Sequence, residues 1–221
     1  MKLEEAVEFA ENPEPRCPCI LLLDTSGSMS GEPIKALNEG LQTFKNDLVQ
    51  NELAQKRVEV AVISFDSEVK VVEHFTTADQ FEVPILTAQG LTHMGVAINQ
   101  ALDLLAERKS EYQDNGVAYY RPWIFLITDG SPQGETPEVI EKAVERLKEE
   151  EDKRRVAFFA VGVEGADMES LRNIVVREPV KLNGLNFTEM FIWLSNSMQR
   201  VSQSRPGEQV PLSPVGWGTI E

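Results

Sequence analysis

Residues 18–28 read Pro-Cys-Ile-Leu-Leu-Leu-Asp-Thr-Ser-Gly-Ser. A short continuous apolar run closing on Asp24 is the pattern of a strand buried on both faces, as at the centre of a parallel sheet. It returns at residues 122–129, Pro-Trp-Ile-Phe-Leu-Ile-Thr-Asp, closing on Asp129. Val156 to Val163 is a third such run, and residues 58–65, Val-Glu-Val-Ala-Val-Ile-Ser-Phe, also read as a strand. Val69 to Phe75 follows residues 58–65 after a turn at Asp66 and Ser67, which predicts a hairpin at the sheet's edge.

Segments of helical period lie between these strands. Ile34, Leu37, Leu41, Phe44 and Leu48 share one face after the entry Ser30-Gly31-Glu32-Pro33, and Met94, Ala97, Ile98, Ala101, Leu102 and Leu105 share another. Thr136-Pro137-Glu138 is a helix start, with a capping hydroxyl, proline at the first helical position and an acid in the first turn. Its apolar stripe is Val139, Ile140, Ala143, Val144 and Leu147. A last helix is expected from about Thr188 to Val201, with Met190, Phe191, Leu194 and Met198 inward. Strands alternating with helices imply an α/β fold with a doubly wound, mostly parallel sheet. Three parts follow: an N-terminal segment 1–16, a domain 17–201, and a tail 202–221. The tail, rich in Ser, Pro and Gly, is either packed on the domain or mobile. Its Trp217 either anchors a partner or folds back on its own domain.

The 36 acidic and 21 basic side chains of the 221 residues leave a formal charge of −15, which argues against nucleic acid or anionic membrane as a partner. Most of the acids are expected to be solvated helix faces. No apolar run is long enough to span a bilayer. The stretch Met1 to Pro15 is acidic where a signal peptide would be basic and then apolar, so a cytoplasmic protein is expected. Cys17 and Cys19, the two cysteines, share a strand face one residue apart. A bridge there would be strained and zinc would lack further ligands, so reduced thiols are expected.

Ligands bind at the carboxyl ends of strands in open α/β sheets, which is where Asp24-Thr25-Ser26-Gly27-Ser28 falls. The alternation offers a carboxylate and two hydroxyls, hard donors suited to magnesium or manganese, with Gly27 expected to let the backbone turn sharply between the serines. Ser28 or Ser30 could instead cap the following helix. Asp129, in Thr128-Asp129-Gly130, brings a second carboxylate to the same edge, and a divalent cation between the two relieves their repulsion.

These segments resemble a known family. Asp24-Thr25-Ser26-Gly27-Ser28, Thr92 in Gly90-Leu91-Thr92, and Thr128-Asp129-Gly130 look like the three parts of the metal-ion-dependent adhesion site (MIDAS) of von Willebrand factor A domains. The resemblance spans about residues 17 to 201 and implies a Rossmann-like sheet with one antiparallel edge strand. It also implies that Ser26, Ser28 and Thr92 supply hydroxyl oxygens while Asp24 and Asp129 coordinate directly or through water. Thr92 enters on the resemblance alone; by its own position it could equally cap the helix from Met94. Within the family, the bacterial tellurium-resistance (TerY) type is most similar, around Ile20 to Met29 and Phe125 to Gly130. That type implies a cytoplasmic stress-response protein associated with protein kinases and phosphatases.

Two carboxylates balancing a divalent cation (magnesium, or manganese or calcium) leave a position open to an anion, typically a partner's Asp or Glu. Recognition through a shared metal is therefore expected, and no catalysis. The alternative is a magnesium-dependent phosphatase using Asp24 as nucleophile, but the loops hold no lysine for a phosphate and no nucleotide-binding glycine loop. A secreted adhesin lacks its signal peptide in this reading. His93 beside Thr92, His74 and Asp66 are expected to be bystanders.

Overall fold

The computed structural model describes residues 3–220, with side chains from Val7 onward; the first two residues of the N-terminal segment and the last of the tail lie outside the described residues. In chain order the elements are α1 (Leu3–Glu11), β1 (Cys17–Asp24), a 3-10 turn (Gly27–Met29), α2 (Glu32–Val49), α3 (Ala54–Arg57), β2 (Val58–Phe65) and β3 (Val69–Thr77). Then come α4 (Met94–Asp114), β4 (Trp123–Thr128), α5 (Pro137–Asp152), β5 (Ala157–Gly162), α6 (Met168–Ile174), β6 (Val180–Leu182), α7 (Phe187–Gln203) and β7 (Gly218–Thr219).

The sheet runs β3-β2-β1-β4-β5-β6-β7. Strands β2, β1, β4, β5 and β6 are parallel, as the unbroken apolar runs require, and β3 is the expected antiparallel edge. At the other edge the tail adds the short antiparallel β7. Alternation splits β1 between two cores. Cys17, Cys19, Leu21 and Leu23 face α2 and α7, whereas Ile20 and Leu22 face α4, α5 and α6. Both thiols are buried and unbridged, and burial pushes Cys19 up to about 12, which keeps it protonated and inert. Trp217 folds back: it is buried against Phe125 and Trp193, which pins the tail to the sheet.

Two local expectations are corrected. Thr136 occupies the N-cap of α5 with extended backbone, but its hydroxyl makes no capping hydrogen bond; proline at the next position already presets the first turn. Nor does a serine cap α2, whose N-cap is Gly31 at φ 87.

α2 and α7 approach closely because Gly40 has no side chain: a Cβ there would lie 2.6 Å from Phe191 Cδ2 and 3.1 Å from Phe187 Cβ. Alanine would improve helix propensity by about 1 kcal/mol. Pushing a fully buried ring aside costs about 1–3 kcal/mol, so crowding wins. Gly40→Ala is therefore expected to lower the urea midpoint; an unchanged or higher midpoint would show that Phe191 yields freely.

Candidate metal centre

The strand order reverses beside β1, whose neighbours are β2 and β4, and in open α/β sheets ligands bind at such a switch point, beyond the strands' carboxyl ends. The parallel register pairs Leu23 with Ile127, which sets Asp24 beside Thr128 at the strand ends. Asp24 is fully buried. Its Oδ1 accepts from the Ser26 backbone N–H at 2.8 Å and its Oδ2 from Thr128 Oγ1 at 2.5 Å. These bonds fix the carboxylate without using up its lone pairs. Burial pushes the Asp24 carboxyl up to about 6; the Ser26 and Thr128 donors oppose the rise and the charge of Asp129 adds to it. Asp129, half-buried, is also raised by burial, against a hydrogen bond from Ser28.

The hydroxyls gather between the two carboxylates. Ser26 Oγ and Ser28 Oγ are 3.1 Å apart, and Ser28 Oγ donates to Asp129 Oδ1 at 2.8 Å. Ser26 is buried and Ser28 exposed, so the cluster opens to solvent on one side. The backbone turns at Gly27, the start of the 3-10 turn, without a left-handed φ. This glycine serves close approach: its N–H donates to Gly90 O at 3.0 Å, and a Cβ would sit 3.3 Å from that oxygen. Gly130 N donates to Thr128 Oγ1 at 3.2 Å.

Thr92 is buried, and its backbone pairs in both directions with Gln133 in the loop that follows Asp129. A Cβ on Gly130 would lie 4.0 Å from Thr92 Oγ1, so this hydroxyl faces the Asp129 loop. It does not cap α4. His93 holds the N-cap position, and Glu135 accepts from the N–H groups of Gly95 at 2.8 Å and Val96 at 2.7 Å. Among the described residues, Thr92 Oγ1 has no hydrogen-bond partner. His93 is half-buried, His74 is exposed on β3, and Asp66 is engaged by the Glu68 N–H and the Thr25 hydroxyl, so none joins the cluster.

Thr128 and Glu135 are the contributors the sequence reading passed over. Thr128 was signalled by the in-register strand ends; no local signal links Glu135 to a helix 40 residues earlier. The described residues contain no group of three or more His, Cys, Asp or Glu side chains able to hold a metal. Soft or carboxylate-rich coordination is thus not on offer here; two carboxylates and three hydroxyls fit a hard divalent cation.

The von Willebrand factor type A domain matches residues 19–190, with both carboxylates and all three hydroxyls inside it. The chain belongs to the von Willebrand factor A family. Among solved structures, a von Willebrand factor type A protein from Catenulispora acidiphila is similar at 20% identity and a TM-score of 0.67, over 84% of this chain and 43% of that one. The von Willebrand factor domain of the type V pili tip protein Mfa5 from Porphyromonas gingivalis aligns at 12% identity and a TM-score of 0.66, over 89% and 99%. The pilus adhesin SpaC from Lactobacillus rhamnosus GG, in its open conformation, aligns at 15% identity and 0.67, over 85% and 30%. This chain therefore spans less than half of the Catenulispora and Lactobacillus chains. At these identities the likeness speaks for the fold. No curated protein matches the chain significantly. Domains of this family generally serve as interaction or adhesion modules, and none of the three neighbours is named as a tellurium-resistance protein. No described helix is long and apolar enough to cross a membrane.

Proposed function

We propose that this domain is a metal-dependent protein-interaction module, in which Asp24, Ser26, Ser28, Thr92 and Asp129 hold a magnesium ion, or manganese or calcium in its place. The observation that carries this reading is the release of the hydroxyls from capping. Glycine begins α2 and Glu135 caps α4, while Ser26, Ser28 and Thr92 gather at the edge that holds both carboxylates. When bound, the cation supplies a position at which a partner's Asp or Glu carboxylate can bind. Asp24 and Asp129 balance its charge, and the Ser26 N–H and Thr128 hold Asp24 in place. No turnover is assigned to the site. The loops 24–31, 66–68, 89–93 and 129–135 carry no Lys or Arg to hold a phosphoryl group, so nothing favours the phosphatase alternative.

The finer assignment, a cytoplasmic protein of a bacterial stress or tellurium-resistance system with kinase or phosphatase partners, rests on the resemblance at Ile20 to Met29 and Phe125 to Gly130. Titration calorimetry of the whole chain with magnesium and manganese tests the site. Binding reversed by chelator is expected, weakened about tenfold in Ser28→Ala, the loss of one neutral ligand of roughly 1.4 kcal/mol. Absence of heat with either metal at millimolar concentration would overturn the reading.

A further inference from the structure

At the end of the sheet opposite Asp129, Arg121 and Pro122 lead into β4, and α4 and α5 flank an open groove of about 700 Å³. Lys109, Arg121, Arg146, Arg154 and Arg155 line it, with Glu150 as its sole carboxylate among the described residues. In a chain of charge −15 this is a local reversal of sign. Asp103 pairs with Arg146 at 2.7 Å, and Glu151 lies behind Arg121 at 3.7 Å. Counting both, the groove still keeps a surplus of positive charge.

The end of α5 explains part of the cluster, because cations complement the carbonyl end of a helix dipole. It explains Arg154 and Arg155; it does not explain Lys109 on α4 or Arg121 before β4. Glu150 is shared between Lys109 at 3.7 Å and Arg155 at 2.8 Å, so one carboxylate serves two cations. Lys109 is mostly buried; burial holds its ammonium below the ordinary value, and Arg155 and Arg146 push the same way against Glu150.

Arg154 gives an independent sign. Its φ is 54, the only left-handed residue other than glycine among those described. Glycine or asparagine normally fills such a place just past a helix, and strain of this kind persists where it positions a useful side chain. The side chain is exposed and has no hydrogen bond or ion pair among the described residues.

We propose that this groove docks an Asp- or Glu-rich peptide segment of a partner protein, at a place distinct from the metal edge. Several carboxylates spread along a peptide match cations spread along a groove. A compact phosphate fits less well: Arg121 spends its fork on the carbonyl oxygens of Val156 and Glu151, and among the described residues no helix N-terminus faces the groove. Nucleic acid, which carries its charge beyond the groove along a continuous backbone, would meet more of the repulsion of the remaining surface than a short acidic segment does.

The test is fluorescence anisotropy of the whole chain with labelled octaglutamate in the presence of EDTA, which silences carboxylate binding through a metal. Binding is expected at an ionic strength of about 0.02 M and weakening by 0.2 M. The exposed double variant R154E/R155E should lower affinity at least about tenfold. Arg154→Gly should weaken binding by a smaller factor while raising the melting temperature, since it relieves the backbone and so reports on a protein that is folded. The proposal is overturned if octaglutamate fails to bind at low salt or if the double variant binds it equally. Preference for a phosphorylated peptide or single-stranded RNA over octaglutamate would overturn it too.

Discussion

Glu59→Ala is expected to cost the fold about 3–5 kcal/mol, the range for removing one partner of a buried charge network. Glu59, fully buried near the start of β2, is the anion between two buried cations. Its carboxylate accepts from Arg16 Nε at 2.7 Å, from Arg108 Nε at 2.9 Å and Nη2 at 2.8 Å, and from the Tyr112 hydroxyl. The Phe9 ring of α1 packs under both guanidinium groups, 5.3 Å from Arg16 and 4.9 Å from Arg108. Among the described residues, alanine would leave the fully buried Arg16 charge with only the carbonyl oxygens of Asn12 and Glu14, and Arg108 with Glu8 and Glu111. Since Glu8 and Phe9 tie α1 to the domain through these arginines, the helix should loosen first. Urea unfolding measures the loss, and hydrogen exchange over residues 3–11 locates it. A loss below about 1 kcal/mol would mean that water reaches the two arginines once Glu59 is gone.

That network was only half legible in the sequence. Most acidic residues were expected to be solvated, yet Glu59 sits second in a strand that the structure buries on both faces, a position that demands a cation. Its partners, at 16 and 108, are set by tertiary structure. The long buried strands, by contrast, could be read nearly to the residue, because an apolar run ending on Asp or Phe has few other solutions. β6 and β7 escaped notice for the opposite reason: they are three and two residues long, and β7 pairs beside the buried Trp217. α1 is acidic and held by ion pairs, so its own pattern says little. α6 did carry a signal, since Asp167 caps it through the Ser170 N–H. At the site, Asp24, Ser26, Ser28 and Asp129 followed from strand ends. Whether Thr92 was ligand or cap could not be settled locally, because Glu135, which does the capping, is 43 residues away.

Asp24→Asn is expected to act in opposite directions with and without metal. The folded protein raises this carboxyl to about 6, whereas the unfolded chain titrates near 3.9. Between these values the folded state keeps a proton that the unfolded state has released. Asp24's contribution to metal-free stability should thus be greatest below about pH 4, fall as pH rises to about 6, and level off above. At neutral pH the ionised, buried group costs about 3 kcal/mol. Asparagine removes that charge and keeps an acceptor for either the Ser26 N–H or the Thr128 hydroxyl, losing about 1 kcal/mol with the other bond. In EDTA near neutral pH the variant should therefore melt above the parent and lack its decline between about pH 4 and 6. Asp129, also raised by burial, leaves a weaker slope of the same sign in both proteins. Magnesium should reverse the order. The parent gains about 2.7 kcal/mol at a hundred times its Kd, and the variant, with one carboxylate left to balance the cation, gains little. Melting curves of both proteins across that pH range, with magnesium and with EDTA, decide it. The same pH dependence in parent and variant would show that Asp24 is not a strained buried anion, and equal stabilisation of both proteins by magnesium would place the cation elsewhere.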